Sequence, residues 1–248
     1  MKSSVPESSW GRQFVEHGFA VLPNLYSPAE VAALLRCVEN APASGPNFRR
    51  SQEVFAIRNL LGEVPELWSL LVTNSLRELL GQLFPEGCHL VKSIYFDKPA
   101  GSNWLVPWHQ DLMINVTERA ALPGFGPWTS KPEGVSVQPP AAVLENVCTV
   151  RLHLDDCDAT NGALRVVPGS QQRGVLPAAE IAASTTTAET WPVPAGGVML
   201  MKPMLLHASS RSTSHRPRRV MHLEFSSVEL PVGLQWRERR ALPDAAAM

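Results

Sequence analysis

What this chain has little of narrows its class before any motif is read. Four cysteines occur among 248 residues, Cys37, Cys88, Cys148 and Cys157, and no two are spaced as a CxxC pair. That argues against a zinc ribbon and against a disulfide-stapled scaffold. No apolar run approaches the roughly 18 residues of a membrane-spanning helix. The opening MKSSVPESSW lacks the apolar centre of a secretory leader. The expectation is a cytoplasmic protein with reduced thiols and no membrane partner. Charge of one sign is also missing: 22 Lys and Arg stand against 23 Asp and Glu, a formal net charge of -1. Domains that grip nucleic acid are as a rule strongly basic, so no nucleic-acid partner is expected. Charged residues make up 18% and hydrophobic residues 44%, which excludes a disordered chain and allows a sizeable core. No internal repeat is visible.

What is there reads as a single domain over 1–248. Its N-terminal part, about 1–88, is mostly helical. Gly11 to His17 reads as the end of a short helix stopped by Gly18. Phe19 to Leu22 is a short apolar strand closed by Pro23. Ser27-Pro28 with Glu30 three residues after the serine is a capping-box start, and that helix runs to about Asn40. A second helix covers about Ser75 to Leu83. From about 89 to 230 the texture becomes short strands broken by turn residues, the pattern of an antiparallel barrel or jelly roll. The stretch from about 112 to 146 is rich in Pro and Gly and has no strong period. It reads as an irregular lid over the barrel mouth, with Met113, Phe125 and Trp128 offered to a substrate. The alternative is that Phe125 and Trp128 pack permanently in the core.

The chemistry concentrates at His109-Gln110-Asp111. On a strand, residues two apart face the same side, so an imidazole and a carboxylate can meet one metal. His207, at the far end of another strand, can close the triangle. Two histidines and one carboxylate on one face of an octahedron leave three positions open, the facial triad of non-haem Fe(II) oxygenases. A zinc-dependent hydrolase could use the same donors, and a jelly roll can be a binding protein with no reaction at all.

WHQD at 108–111, NGALRVVPGS at 161–170 and HASSRSTSHRPRR at 207–219 occur in that order. With GFAVLPNLYSPAEVAAL near the start and KPAG ahead of WHQD, they make the chain resemble the phytanoyl-CoA dioxygenase family over nearly its whole length. The resemblance implies a mainly β fold with flanking helices, a double-stranded β-helix of the jelly-roll, cupin-like kind. It implies Fe(II), 2-oxoglutarate and O2, with a small molecule as substrate. The default outcome is hydroxylation of a C–H bond with release of succinate and CO2. Desaturation, epoxidation and ring formation are the alternatives. Asp111 argues against a halogenase, which needs that coordination position for halide.

Carried over by motif, the iron ligands fall on His109, Asp111 and His207. The cosubstrate arginine, eleven residues after the second histidine, is Arg218. Its neighbour Arg219 faces the other side of the strand. Ser209 holds the place of a hydroxyl near the cosubstrate carboxylate. Arg151 stands where relatives often carry a tryptophan lining the cosubstrate pocket, and either contacts a ligand or pairs with a nearby Asp. His153 shares its face and is a substrate candidate. Lys92, in the strand that leads into KPAG and on the same face as Ile94, is a further cosubstrate candidate. His17 and His89 read as surface or satisfied histidines, His222 as structural, and Arg237 to Arg240 as a solvated tail. Asp155, Asp156 and Asp158 read as turn formers before Asn161-Gly162.

Overall fold

Caps set the helices. In the computed structural model, which describes residues 8–41, 45–50, 55–99, 105–132 and 134–243 (side chains of 49, 50 and 55 excepted), Ser8 caps α1 (Ser9–His17). Gly18 ends it in the left-handed region at φ 81, a conformation that side chains disfavour. Residues 1–7, and Ala100 and Gly101 of KPAG, lie outside the described residues. The capping box forms as the sequence predicts: Ser27 accepts from the Glu30 amide, and the Glu30 carboxylate accepts from the Ser27 amide, opening α2 (Pro28–Glu39). Three shorter helices follow, α3 (Leu60–Glu63), α4 (Leu67–Leu71) and α5 (Asn74–Leu83). No helix among the described residues is long and apolar enough to cross a membrane.

The N-terminal part is not only helical. It supplies β1 (Phe19–Leu22), β2 (Phe48–Arg50) and β3 (Phe55–Arg58) ahead of the long β4 (His89–Lys98). Then come β5 (Val106–His109), β6 (Ile114–Val116), β7 (Trp128–Lys131), β8 (Gly134–Val137), α6 (Ala141–Leu144) and β9 (Val147–His153). The rest is β10 (Leu164–Val166), α7 (Ala178–Ile181), β11 (Glu189–Thr190), β12 (Val198–Met201), β13 (His207–Ser209), β14 (Arg218–Ser226) and β15 (Arg240–Ala241). The larger sheet runs β1-β12-β9-β14-β4-β3-β2, with β15 added on β4. The smaller runs β11-β10-β13-β5. Every pairing is antiparallel, and the pair of sheets is the double-stranded β-helix.

Strand parity sorts the larger sheet into two chemistries. Cys148, Val150 and Leu152 of β9, with Met221, Leu223 and Phe225 of β14, pack outward against helix residues such as Leu34, Leu67 and Leu80 in the main core. Each such buried aliphatic side chain contributes on the order of 2 kcal/mol. The opposite parity carries Thr149, Arg151 and His153 on β9 and Arg218, His222 and Glu224 on β14. All six are buried. Polar groups are costly inside unless they are partnered, so this face points to a ligand.

Two expectations are corrected. The stretch 112–146 is not irregular: β6, β8 and β7 form a third sheet, and Gly and Pro sit at its turns. Phe125 and Trp128 pack against a second core of Val91, Ile114, Val137, Leu144 and Trp236. Arg237 to Arg240 are not a solvated tail. The segment is anchored by buried Leu234 and Trp236, β15 pairs with β4, and Arg240 donates to the Leu61 carbonyl at 2.6 Å. A buried Glu238 between the arginines is the signal that charge counting overlooked. His89 is likewise buried, edge-on to Trp236, and its Nε2 has no hydrogen-bond partner among the described residues.

Candidate metal centre and cosubstrate pocket

The smaller sheet brings the two histidines together. His207 opens β13 and His109 closes β5, and they are direct cross-strand partners with ring centroids 4.2 Å apart. The register shifts between His207 and Ser209, a bulge of the kind that re-aims side chains beside active sites. His207 therefore starts its own strand, where the sequence places it at the far end of one. Asp111 lies just beyond β5 and not on it, so the parity argument reaches the right residue for a different reason. Its amide donates to the Pro203 carbonyl at 2.9 Å, which fixes the turn. Gln110 between the ligands is a staple. Its amide nitrogen donates to Met204 (2.6 Å) and Gly174 (2.8 Å), and its oxygen accepts from the Leu176 amide (2.8 Å).

His109 Nε2 lies 3.5 Å from one Asp111 oxygen and His207 Nε2 lies 3.6 Å from the other. One donor atom from each of the three residues lies within 4.8 Å of the others, and no other cluster among the described residues does this. Both Nδ1 atoms are tied to the carbonyl two residues upstream, Pro107 at 2.8 Å and Leu205 at 2.9 Å. A carbonyl only accepts, so each Nδ1 carries the hydrogen. Each Nε2 then presents a lone pair, the state a metal needs. Burial drives the His207 pKa down to about 4, which keeps it neutral. Burial also works against protonated His109, but the Asp111 hydrogen bond and charge outweigh it and raise its pKa. Burial alone pushes the Asp111 carboxyl up, yet His207 and His109 hold it well below the usual carboxylate range. Two lone pairs and an anion around one point suit a divalent cation.

The second feature lies along β13. Ser209, two residues from His207, donates to the Gly162 carbonyl at 2.9 Å, and Arg218 Nη1 donates to the same oxygen at 2.7 Å. Gly162 has φ 87, and a side chain there would meet Ser210 O at 3.0 Å and Lys98 Nζ at 3.1 Å. Lys98 is buried, is the cross-strand partner of Arg218, and donates to Ser210 O at 2.9 Å. It was legible only as part of KPAG, and its signal is the pairing with Arg218. Arg219 faces outward, where its guanidinium grips Asp155 at 2.7 and 2.9 Å.

Lys92 is committed elsewhere: Nζ bonds Glu224 at 2.8 Å and the Met113 carbonyl at 2.9 Å. Met113 thus enters through its backbone. Among the described residues Arg151 forms no ion pair with an Asp; its Nη1 meets His222 Nδ1 at 3.1 Å. Arg218 Nε, Arg151 Nε, both His153 nitrogens and Thr149 Oγ1 are buried without a hydrogen-bond partner among the described residues. Each such orphan costs about 1–3 kcal/mol. Five on the facing sides of adjacent strands fit an oxygen-rich guest.

A double-stranded β-helix that turns two imidazole Nε2 atoms toward a carboxylate and buries an arginine nearby in this way defines a 2-oxoglutarate-dependent non-haem iron oxygenase. The chain matches the model of the phytanoyl-CoA dioxygenase (PhyH) family over residues 14–220 and belongs to that family. No curated protein matches it in sequence. Among solved structures it is similar to EctD from S. alaskensis in its apoform, with 19% identity and a TM-score of 0.70 over 98% of this chain and 88% of that one. It is similar to HygX from Streptomyces hygroscopicus with nickel, 2-oxoglutarate and hygromycin B bound, with 15% identity and a TM-score of 0.65 over 96% of each chain. It is also similar to SnoK, a non-haem α-ketoglutarate-dependent carbocyclase from nogalamycin biosynthesis, with 17% identity and a TM-score of 0.64 over 92% of this chain and 85% of that one.

Proposed function

We propose that the protein hydroxylates a C–H bond of a small organic molecule, consuming 2-oxoglutarate and O2 and releasing succinate and CO2. The observation that carries this is the pair of locked imidazoles, each with Nε2 turned to Asp111. His109, Asp111 and His207 would hold Fe(II), which supplies the O2 chemistry that no side chain provides. Arg218 and Ser209 would take the far carboxylate of 2-oxoglutarate. They converge two residues along β13 from His207, a strand rise of about 7 Å, comparable to the length of a five-carbon diacid. Arg218 Nε, buried without a partner among the described residues, is the donor left for that carboxylate.

The role of the protein is to hold both ends of the cosubstrate and to keep water out. HygX, with a metal, 2-oxoglutarate and hygromycin B bound, supports a small-molecule substrate for this fold. SnoK, a carbocyclase of similar fold, gives ring closure as a second reading. The test is succinate formation from 2-oxoglutarate with Fe(II), run with and without a metabolite panel and read by mass spectrometry. Gain of one oxygen atom marks hydroxylation; loss of two hydrogens marks ring closure or desaturation. No succinate under any condition would overturn the oxygenase reading.

A further inference from the structure

The buried guanidinium of Arg151 forms an ion pair with no carboxylate among the described residues. We propose that Arg151 is the docking point for a carboxylate of the molecule that is oxidised, so that the substrate is an organic acid. This rests on the reading given above.

Arg151 sits mid-way along the inward face of β9 and is 7% exposed. A guanidinium only donates, so His222 Nδ1 accepts from it at 3.1 Å. His222 Nε2 then carries the hydrogen and donates to Glu224 Oε1 at 3.0 Å. The same oxygen accepts from Lys92 Nζ at 2.8 Å, and Lys92 also donates to the Met113 carbonyl. This relay orients Arg151 but gives it no counter-charge, because Glu224, its one carboxylate, is matched by Lys92. Among the described residues no carboxylate forms an ion pair with Arg151.

The other buried charges have partners of their own or would find them in the metal and cosubstrate. Asp111 and the metal-side carboxylate of 2-oxoglutarate match a divalent cation. The far carboxylate matches Arg218. Lys98 has its own partners at the Arg218 end. Glu238 bonds Ser93, of opposite parity to Lys92 on β4. Burial, then the Arg218 charge, lowers the Arg151 pKa to about 10 against the attraction of Asp111, whose charge a bound divalent cation would take up, so Arg151 stays cationic at neutral pH. An uncompensated buried cation is costly, and a ligand carboxylate removes the cost. A second observation points the same way. Thr149 and His153 flank Arg151 on the same face, and their side-chain polar atoms are also unpartnered among the described residues. A row of polar groups around a guanidinium with an unpartnered Nε suits an acid with a further polar group.

The experiment uses protein loaded with Ni(II) and 2-oxoglutarate, which bind without turnover. Calorimetry then compares straight-chain acids from acetate to decanoate, benzoate and phenylacetate with their primary amides. We expect at least one acid to bind about tenfold or more tightly than its amide, the advantage of a charge-assisted pair. Arg151→Met should abolish that preference while leaving 2-oxoglutarate affinity within about twofold, since only the arginine's own partner is lost. Arg151→Lys should restore part of the preference. Ligand-free Arg151→Met should also melt higher than the parent, because a lone buried charge has gone. Equal binding of acids and amides would overturn the proposal. So would a loss of 2-oxoglutarate affinity as large as that of Arg218→Met, or a lower melting point with loss of Ni(II). Failure of the parent protein itself to bind 2-oxoglutarate is a different result, and overturns the oxygenase reading beneath it.

Discussion

Arg218 and Arg219 are neighbours in sequence, yet their substitution should produce unlike losses. Arg218 is 4% exposed, faces inward, and keeps one donor for a ligand. Removing one member of a buried charge pair costs about 3–5 kcal/mol. That is about a hundred- to several thousandfold in 2-oxoglutarate affinity. Arg219 faces outward and holds Asp155 in a pair whose side chains are 23% and 17% exposed. After Arg219→Met, Asp155 still accepts from the backbone amide of residue 219, now at 2.8 Å from the Arg219 nitrogen. The loss is that of a partly exposed pair, about 1 kcal/mol, and shifts the melting point by about 2–4 °C in a chain of this size. Anaerobic titration of 2-oxoglutarate into Ni(II)-loaded Arg218→Met and Arg219→Met reads the affinity, and thermal unfolding reads the stability. If Arg219→Met loses the affinity, or if neither variant does, the inward assignment of Arg218 is wrong.

Three further outcomes are expected. His109→Ala and His207→Ala should each lower Ni(II) affinity by on the order of a hundredfold or more, since one of three protein ligands goes; near-parental metal binding in either variant would sink the metal site. Burial raises the Glu238 pKa from 4.5 to about 7, against the Ser93 hydrogen bond. A carboxyl raised on folding gives stability that is full below 4.5 and is lost as pH climbs through about 7, a loss of about 3 kcal/mol. Glu238→Gln should therefore flatten that slope in urea unfolding and be the more stable protein at pH 8; an unchanged slope refutes it. Trp128→Ala should cost about 2 kcal/mol, less than a fully buried tryptophan, and leave 2-oxoglutarate affinity intact, because Trp128 packs against the second core; equal stability with a changed substrate range would restore the lid.

Capped helices and apolar strands closed by turn residues were legible because their signals are local. The Ser27 box and the strand Phe19 to Leu22 stand where the cap and Pro23 put them. The donors of the metal site were legible as well, because HxD and the distant histidine are chemical signatures. Short strands such as β6 to β8 were not, since three or four residues carry too little periodicity. Their partners are fixed by burial against Val91 and Trp236, which are far away in sequence. Lys92 illustrates the limit. Its strand and its facing were correct, but the carboxylate that claims it is 132 residues downstream, and only the pairing of β4 with β14 brings them together.

β9 divides its labour by parity. Cys148, Val150 and Leu152 are mortar between sheet and helices. Thr149, Arg151 and His153 make no side-chain contribution to that core. A population of variants can therefore drift at 149, 151 and 153 while the even-numbered positions keep the scaffold standing. With Arg151 as the docking point proposed above, ligand choice and foldability would be inherited on alternate residues of one seven-residue segment. New substrates would then be reachable in single steps, without passing through unfolded intermediates in evolution.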